Sequence, residues 1–93
     1  MIENFVEIGA IYNFDSGVNY DTGDTIDRSD YDGQVIEISE NWVLTHHAYQ
    51  DYNKTQIFYV NKKVKRLINL NKCFAIKRFN PEQILEHGTG KAV

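Results

Sequence analysis

The chain has 93 residues, 42% of them apolar and 25% charged, with six Tyr, five Phe and one Trp. That composition is one of a single ordinary globular domain, too short for two, too apolar for a disordered chain and aromatic enough to favour strands. A single Cys excludes an internal disulfide, and no apolar run approaches the roughly 20 residues of a membrane span.

A domain this short buries only about 60–65% of its unfolded surface, so modest stability and self-association as a homodimer are expected. The opening MIENFVEIG carries no basic stretch, long apolar run or cleavage site, so a cytoplasmic protein without a signal peptide is expected. Abundant Asn, Ile, Lys, Tyr and Phe with one Pro match the bias of AT-rich genomes, bacterial or phage. The net charge of −3 conceals a division. Through Asn53 there are 11 acidic residues against Arg28, a balance of −10; from Lys54 onward nine basic residues face Glu82 and Glu86, a balance of +7. Such asymmetry speaks to partners and association, not to fold.

In chain order, FVEIGAIYNF alternates. Val6, Ile8, Ala10, Tyr12 and Phe14 share one face of a predicted strand, and Gly9 marks a bend or bulge. Asp15 to Gly33 is punctuated by glycines and reads as a long acidic loop. Asp21, Asp24, Asp27 and Asp30 recur every third residue, which a polyproline-II segment would align roughly 9 Å apart on one side. Strands follow at QVIEIS, with Ile36 and Ile38 opposite Val35 and Glu37, and at NWVLTHHAY. In the latter Val43, Thr45, His47 and Tyr49 share a face against Trp42, Leu44, His46 and Ala48. TQIFYV leads through Asn61-Lys62 into VKRLINL, where strand is favoured although Val64, Leu67 and Ile68 also fit a helical face. Asn71-Lys72 turns into CFAIKRF. Asn80 as cap, Pro81 at the first position, Gln83 at capping-box spacing and Gly88 as stop predict a short C-terminal helix over 81–87, with 88–93 a flexible tail. The fold class expected is therefore mainly β, a small antiparallel meander or SH3/Sm-like barrel with one short helix.

Little in this pattern is catalytic. Asp30-Tyr31-Asp32-Gly33 has the look of a calcium loop, but Arg28 and Ser39 stand where an EF-hand needs acids. His46 and His47 point to opposite faces of a strand, and with Cys73 as the only thiol no zinc set is complete. HGTGKAV lacks the first Gly and the hydroxyl residue of a phosphate-binding loop. No cofactor, metal or enzymatic role is expected.

Two function classes remain. The first is a small protein-binding regulator or inhibitor, fitting a phage or mobile element. In it Asp15, Asp21, Asp24, Asp27, Asp30 and Asp32 engage a basic, nucleic-acid-binding surface of the partner. The second binds RNA or single-stranded DNA through a basic, aromatic face of Phe58, Lys62, Lys63, Lys65, Arg66, Lys72, Phe74, Lys77 and Arg78. KCFAIKRF resembles the RNP1 motif of the RRM family at Lys72, Phe74, Ala75 and Phe79, and IFYVNK resembles RNP2, but there is no room for the helix that family places between them. YDGQVIEISENWVLTHH with IFYVNKKV is similar to the strand–bend–strand pattern of Sm-like RNA chaperones over about a third of the chain. It departs from them near Val60-Asn61, where their Lys-His pair is absent. Both likenesses imply a fold, not a function.

Overall fold

The computed structural model describes residues 6–18, 25–54 and 56–93, with the backbone alone at 16–18 and 25–29. The fold is mainly β. Its strands are β1 (Ile11–Val18), β2 (Thr25–Ser39), β3 (Trp42–Gln50), β4 (Ile57–Asn69), β5 (Cys73–Arg78) and β6 (Gln83–Glu86), in one sheet ordered β5-β1-β2-β3-β4-β6. The first four form the expected antiparallel meander. A 3-10 turn at Leu70–Lys72 then returns the chain to lay β5 antiparallel beside β1. This is the path of a small barrel, but it stays open. Among the described residues nothing pairs with the outer edge of β5, or with the outer edge of β4 beyond Val60. No helix there is long and apolar enough to cross a membrane.

Strand alternation builds two apolar clusters on opposite faces of the sheet. Tyr12, Phe14, Tyr31, Val35, Val43, Ile68 and Leu70 fill one, capped by Val6. Ile11, Ala48, Phe58 and Val60 form the other, covered by Phe79 and Ile84 where the chain crosses from β5 to β6. Burying a large aliphatic or aromatic side chain contributes about 1.5–3 kcal/mol, so these rings and branches carry most of the stability.

Several expectations need correcting. The first strand begins at Ile11, not before. Gly9, at φ 93°, turns the chain, Gly9 N donates to Val35 O (2.7 Å), and Ile8 is left exposed. A bulge between Val35 and Glu37 inserts Ile36 and shifts the phase, so Val35 and Ile38 both serve the first cluster. The predicted break at Asn61-Lys62 is also a bulge. β4 runs unbroken through it, with Lys62, Lys63 and Val64 extra between the His47–Asn61 and His46–Lys65 pairs.

The acidic segment is not a loop where the structure describes it. Residues 15–18 and 25–33 lie in β1 and β2, paired as a hairpin from Ile11–Gln34 to Val18–Thr25. Over the described residues, period-two pairing replaces the polyproline-II geometry.

The C-terminal helix is absent as well: Gln83–Glu86 runs parallel to β4, from Ile57–Gln83 to Val60–Glu86. Two turns of isolated helix are marginal, because nucleation is costly below about 12–15 residues. The edge of β4 offers the segment a backbone ladder instead, and Ile84 reaches the second cluster. Pro81, without an N–H, is tolerated where the chain enters an edge strand. Nor is 88–93 a loose tail. With Gly88 and Gly90 at positive φ it folds back, Glu86 N donating to Lys91 O (2.7 Å) and Val93 N to Ile84 O (3.0 Å).

Candidate functional site

Strands β2 and β3 part company after the Gly33–His47 pair. β2 continues with β1 alone, and β3 with β4. A cleft of about 320 Å³ opens between them, lined by Asn13, Asp30, Tyr31, Asp32, His47, Tyr49 and Arg66. Gly33 sets its floor. A Cβ there would meet Tyr31 Cε2 at 2.7 Å and Thr45 Cβ at 2.9 Å, so only glycine lets the Tyr31 ring lie across the strand. Buried Thr45 fixes that ring further. Its hydroxyl is hydrogen-bonded with the Tyr31 hydroxyl (3.2 Å) and with the Arg66 carbonyl (3.0 Å).

Rings run outward from the cleft in a row. Tyr31 lies 5.6 Å from His47, His47 6.0 Å from Tyr49, and Tyr49 5.4 Å from Tyr59 across the β3–β4 pair. The Tyr49 hydroxyl is hydrogen-bonded with His87 Nδ1, and the Tyr59 hydroxyl donates to Asp51 Oδ2 (3.2 Å). Asp51 Oδ1 accepts from the Asn53 and Lys54 amides, which ties the row to the β3–β4 turn. The Tyr59 phenol is pushed up by partial burial and by that carboxylate.

Cation and carboxylate meet at the inner end. The Arg66 guanidinium stands 4.8 Å over the Tyr31 ring. Asp32 is held above its usual carboxylate range, chiefly by burial and also by Asp30, against the bond from Asn13 Nδ2 (2.7 Å) and the nearby His47. Burial, then Arg66, pushes the His47 imidazole below its ordinary value, which leaves a neutral ring at physiological pH. His46, across the strand, is lowered by burial and by Lys65 and Lys62. Rings with carboxylates beside them attract cations, and Arg66 demonstrates the fit from within.

Of the acids expected to act together, three are described with their side chains. Asp15 is buried in β1 directly opposite exposed Asp30, and Asp32 is half-buried opposite Asn13. Asp27 lies in β2, where only the backbone is described, and Asp21 and Asp24 lie outside the described residues. The basic, aromatic set disperses. Phe58, expected to stack on a base, is buried in the second cluster. Lys62 and Lys63 occupy the bulge, while adjacent Lys65 and Arg66 take opposite faces of β4. Lys72 is in the 3-10 turn, Phe74 is exposed on β5, and Lys77 and Arg78 face opposite ways. Cys73 is half-buried against the first cluster, its Sγ 3.7 Å from Asn69 O. Among the described residues no three His, Cys, Asp or Glu side chains converge to hold a metal.

Sequence reasoning missed Tyr31, His47, Tyr49, Tyr59 and His87 as a group. The signal was the inward face of β3, where Val43 and Thr45 give way to His47 and Tyr49, polar rings at core positions. No protein-family model, curated protein or solved structure matches the chain.

Proposed function

We propose that the chain is a small, non-enzymatic protein-binding module whose cleft receives an arginine or lysine side chain from a basic segment of its partner. The observation that carries this reading is Arg66, whose guanidinium rests on the Tyr31 ring in a cleft edged by Asp30 and Asp32. A second reason is charge. Exposed Asp30 and half-buried Asp32 stand together at the edge of the cleft, and a cation entering it meets both. A cation over an aromatic ring contributes about 0.5–1 kcal/mol when exposed and about 2 when desolvated, so useful affinity needs several such contacts along a segment.

The test is titration of a synthetic peptide of alternating Arg and Ser, beside one with citrulline for Arg, read by amide chemical shifts of the protein. Saturable shifts at Tyr31, His47 and Asp30 with the Arg peptide alone, weakened about fivefold by Asp30→Asn, are expected from a contact of about 1 kcal/mol. Equal shifts with citrulline overturn the reading. So does tighter, salt-sensitive binding of a single-stranded oligonucleotide, which would favour the basic face instead.

A further inference from the structure

The far end of the ring row holds the opposite chemistry. There the bulge of β4 and the turn after β6 enclose a pocket of about 400 Å³ lined by Asn61, Lys62, Lys63, Glu86, His87 and Gly88. We infer that this pocket is a phosphate-binding site, independent of the cleft between β2 and β3.

The bulge puts two lysines on three extra residues, which a regular strand would have sent to alternate faces. Its shape is held from within, because Lys63 N donates to Asn61 Oδ1 (3.1 Å). Lys62 Nζ already holds an oxyanion, Glu86 Oε2 at 3.3 Å, and Glu86 is kept ionised by Lys62 and by the Thr89 hydroxyl (3.2 Å). Lys63 makes no ion pair among the described residues. His87 comes next, anchored by His87 N donating to Val60 O (2.9 Å) and with Nδ1 engaged by Tyr49. With Nδ1 engaged by the Tyr49 hydroxyl, Nε2 is the ring nitrogen left to a ligand. Gly88, at φ 92°, leaves open space where a Cβ would stand, so a ligand can approach the backbone closely. Two ammonium groups and an imidazole suit a phosphate dianion better than a single carboxylate. Glu86 is then a gate: its charge sits on one of the two lysines and opposes a second anion.

Chemical-shift titration with inorganic phosphate, O-phosphoserine, acetate and chloride at equal ionic strength tests this. Phosphate should shift the Lys63, His87 and Gly88 amides saturably, with acetate and chloride much weaker. The tighter of phosphate and phosphoserine identifies the source as a free ion or a phosphorylated residue. Lys63→Gln, which removes the charge and keeps a polar side chain at the bulge, should weaken binding about fivefold, and Glu86→Gln, which keeps the Thr89 contact, should strengthen it about as much. Shifts that follow ionic strength alone, acetate equal to phosphate, or no response to either substitution overturns the proposal. None of these outcomes bears on Asp30 or on the arginine peptide, so the two sites stand or fall separately.

Discussion

The acidic and the basic halves of the chain occupy different places in the sheet. Acids concentrate on β1 and β2, which are inner strands, whereas Lys65, Arg66, Lys72, Lys77 and Arg78 lie on or beside β4 and β5, the strands with unpaired edges. The fold accounts for the second group. Basic side chains on an exposed edge block edge-to-edge pairing with another chain, and these five, outside the bulge at Lys62–Val64, need no ligand to explain them. The first group is placed differently. Exposed Asp30 and half-buried Asp32 edge the cleft between β2 and β3, where burial and Asp30 hold Asp32 above its usual range. Carboxylates gathered at a cleft are the better pointer to a partner.

The comparison requires the acidic hairpin to be an integral part of the sheet. Phe14, fully buried and directly opposite Tyr31, joins it to the first cluster. Phe14→Ala should cost about 3–5 kcal/mol in chemical denaturation, as a large ring is lost from a packed core. A loss under about 1 kcal/mol would make the hairpin an appendage, and its charges ordinary surface. Gly33→Ala comes next. The added methyl must displace Tyr31 or Thr45, so a cost of about 1–3 kcal/mol is expected. The arginine peptide should no longer shift Tyr31.

How legible these features were depended on the range of the interaction behind each. β3 and β5, with apolar alternation and short turns, could be read residue by residue. So could the opposite orientation of His46 and His47. The misreadings came where a distant edge decides. Gln83–Glu86 carries real helix signals, yet the partner that makes it a strand is Ile57–Val60, remote in sequence. The bulges at Ile36 and at Lys62–Val64 leave no mark in composition, and each reverses which side chains face inward. The cleft itself follows from where β2 leaves β3, and the sequence hint was Gly33, readable only as a turn. Asp30 and Asp32 were singled out by charge, but the rings beside them come from three strands and the final turn.

Neutralising each half separately sharpens the contrast. Asp30→Asn removes a like-charge pairing and should raise stability by about 0.2–1 kcal/mol. Lys77→Gln, on the open edge, should leave stability within about 0.5 kcal/mol while increasing self-association in sedimentation at high concentration. If Asp30→Asn destabilises instead, the carboxylate is a structural partner and no pointer to a ligand.

Titration sets a further contrast. His46 and His47 both have folded-state values below the ordinary 6.5, so the fold favours their neutral forms. Stability present above about pH 6.5 is therefore lost as pH falls from there toward the folded values, while the unfolded chain takes up protons first. Asp32 has the opposite sign. Raised above 3.8, it favours the protonated form in the fold and adds stability as pH falls through its folded value. A stability–pH curve should decline below neutrality and flatten at more acid pH. His46→Gln with His47→Gln should remove the decline, and Asp32→Asn the flattening. A decline unchanged in the double His variant would assign it to other groups.

The smallest expected effect tests whether an edge charge does anything beyond guarding the edge. Arg78 NH1 lies 3.4 Å from Glu7 Oε1, and both side chains are well exposed. Its guanidinium carbon also stands 6.0 Å from the centre of the buried Tyr12 ring, whose hydroxyl accepts from Glu7 N (2.9 Å). An exposed ion pair is worth about 0–1 kcal/mol and is screened by salt, whereas the stem of an arginine lying on an apolar ring is not. Glu7→Gln should therefore change stability by no more than about 0.5 kcal/mol, and by nothing in high salt. Arg78→Ala should cost more than Glu7→Gln, and Arg78→Met, which keeps apolar cover over Tyr12 without charge, should recover most of the difference. If instead both variants at Arg78 and Glu7→Gln lose the same amount, and salt abolishes all three losses, then edge charge here is structural, and the division between useful and merely protective charge has to be redrawn.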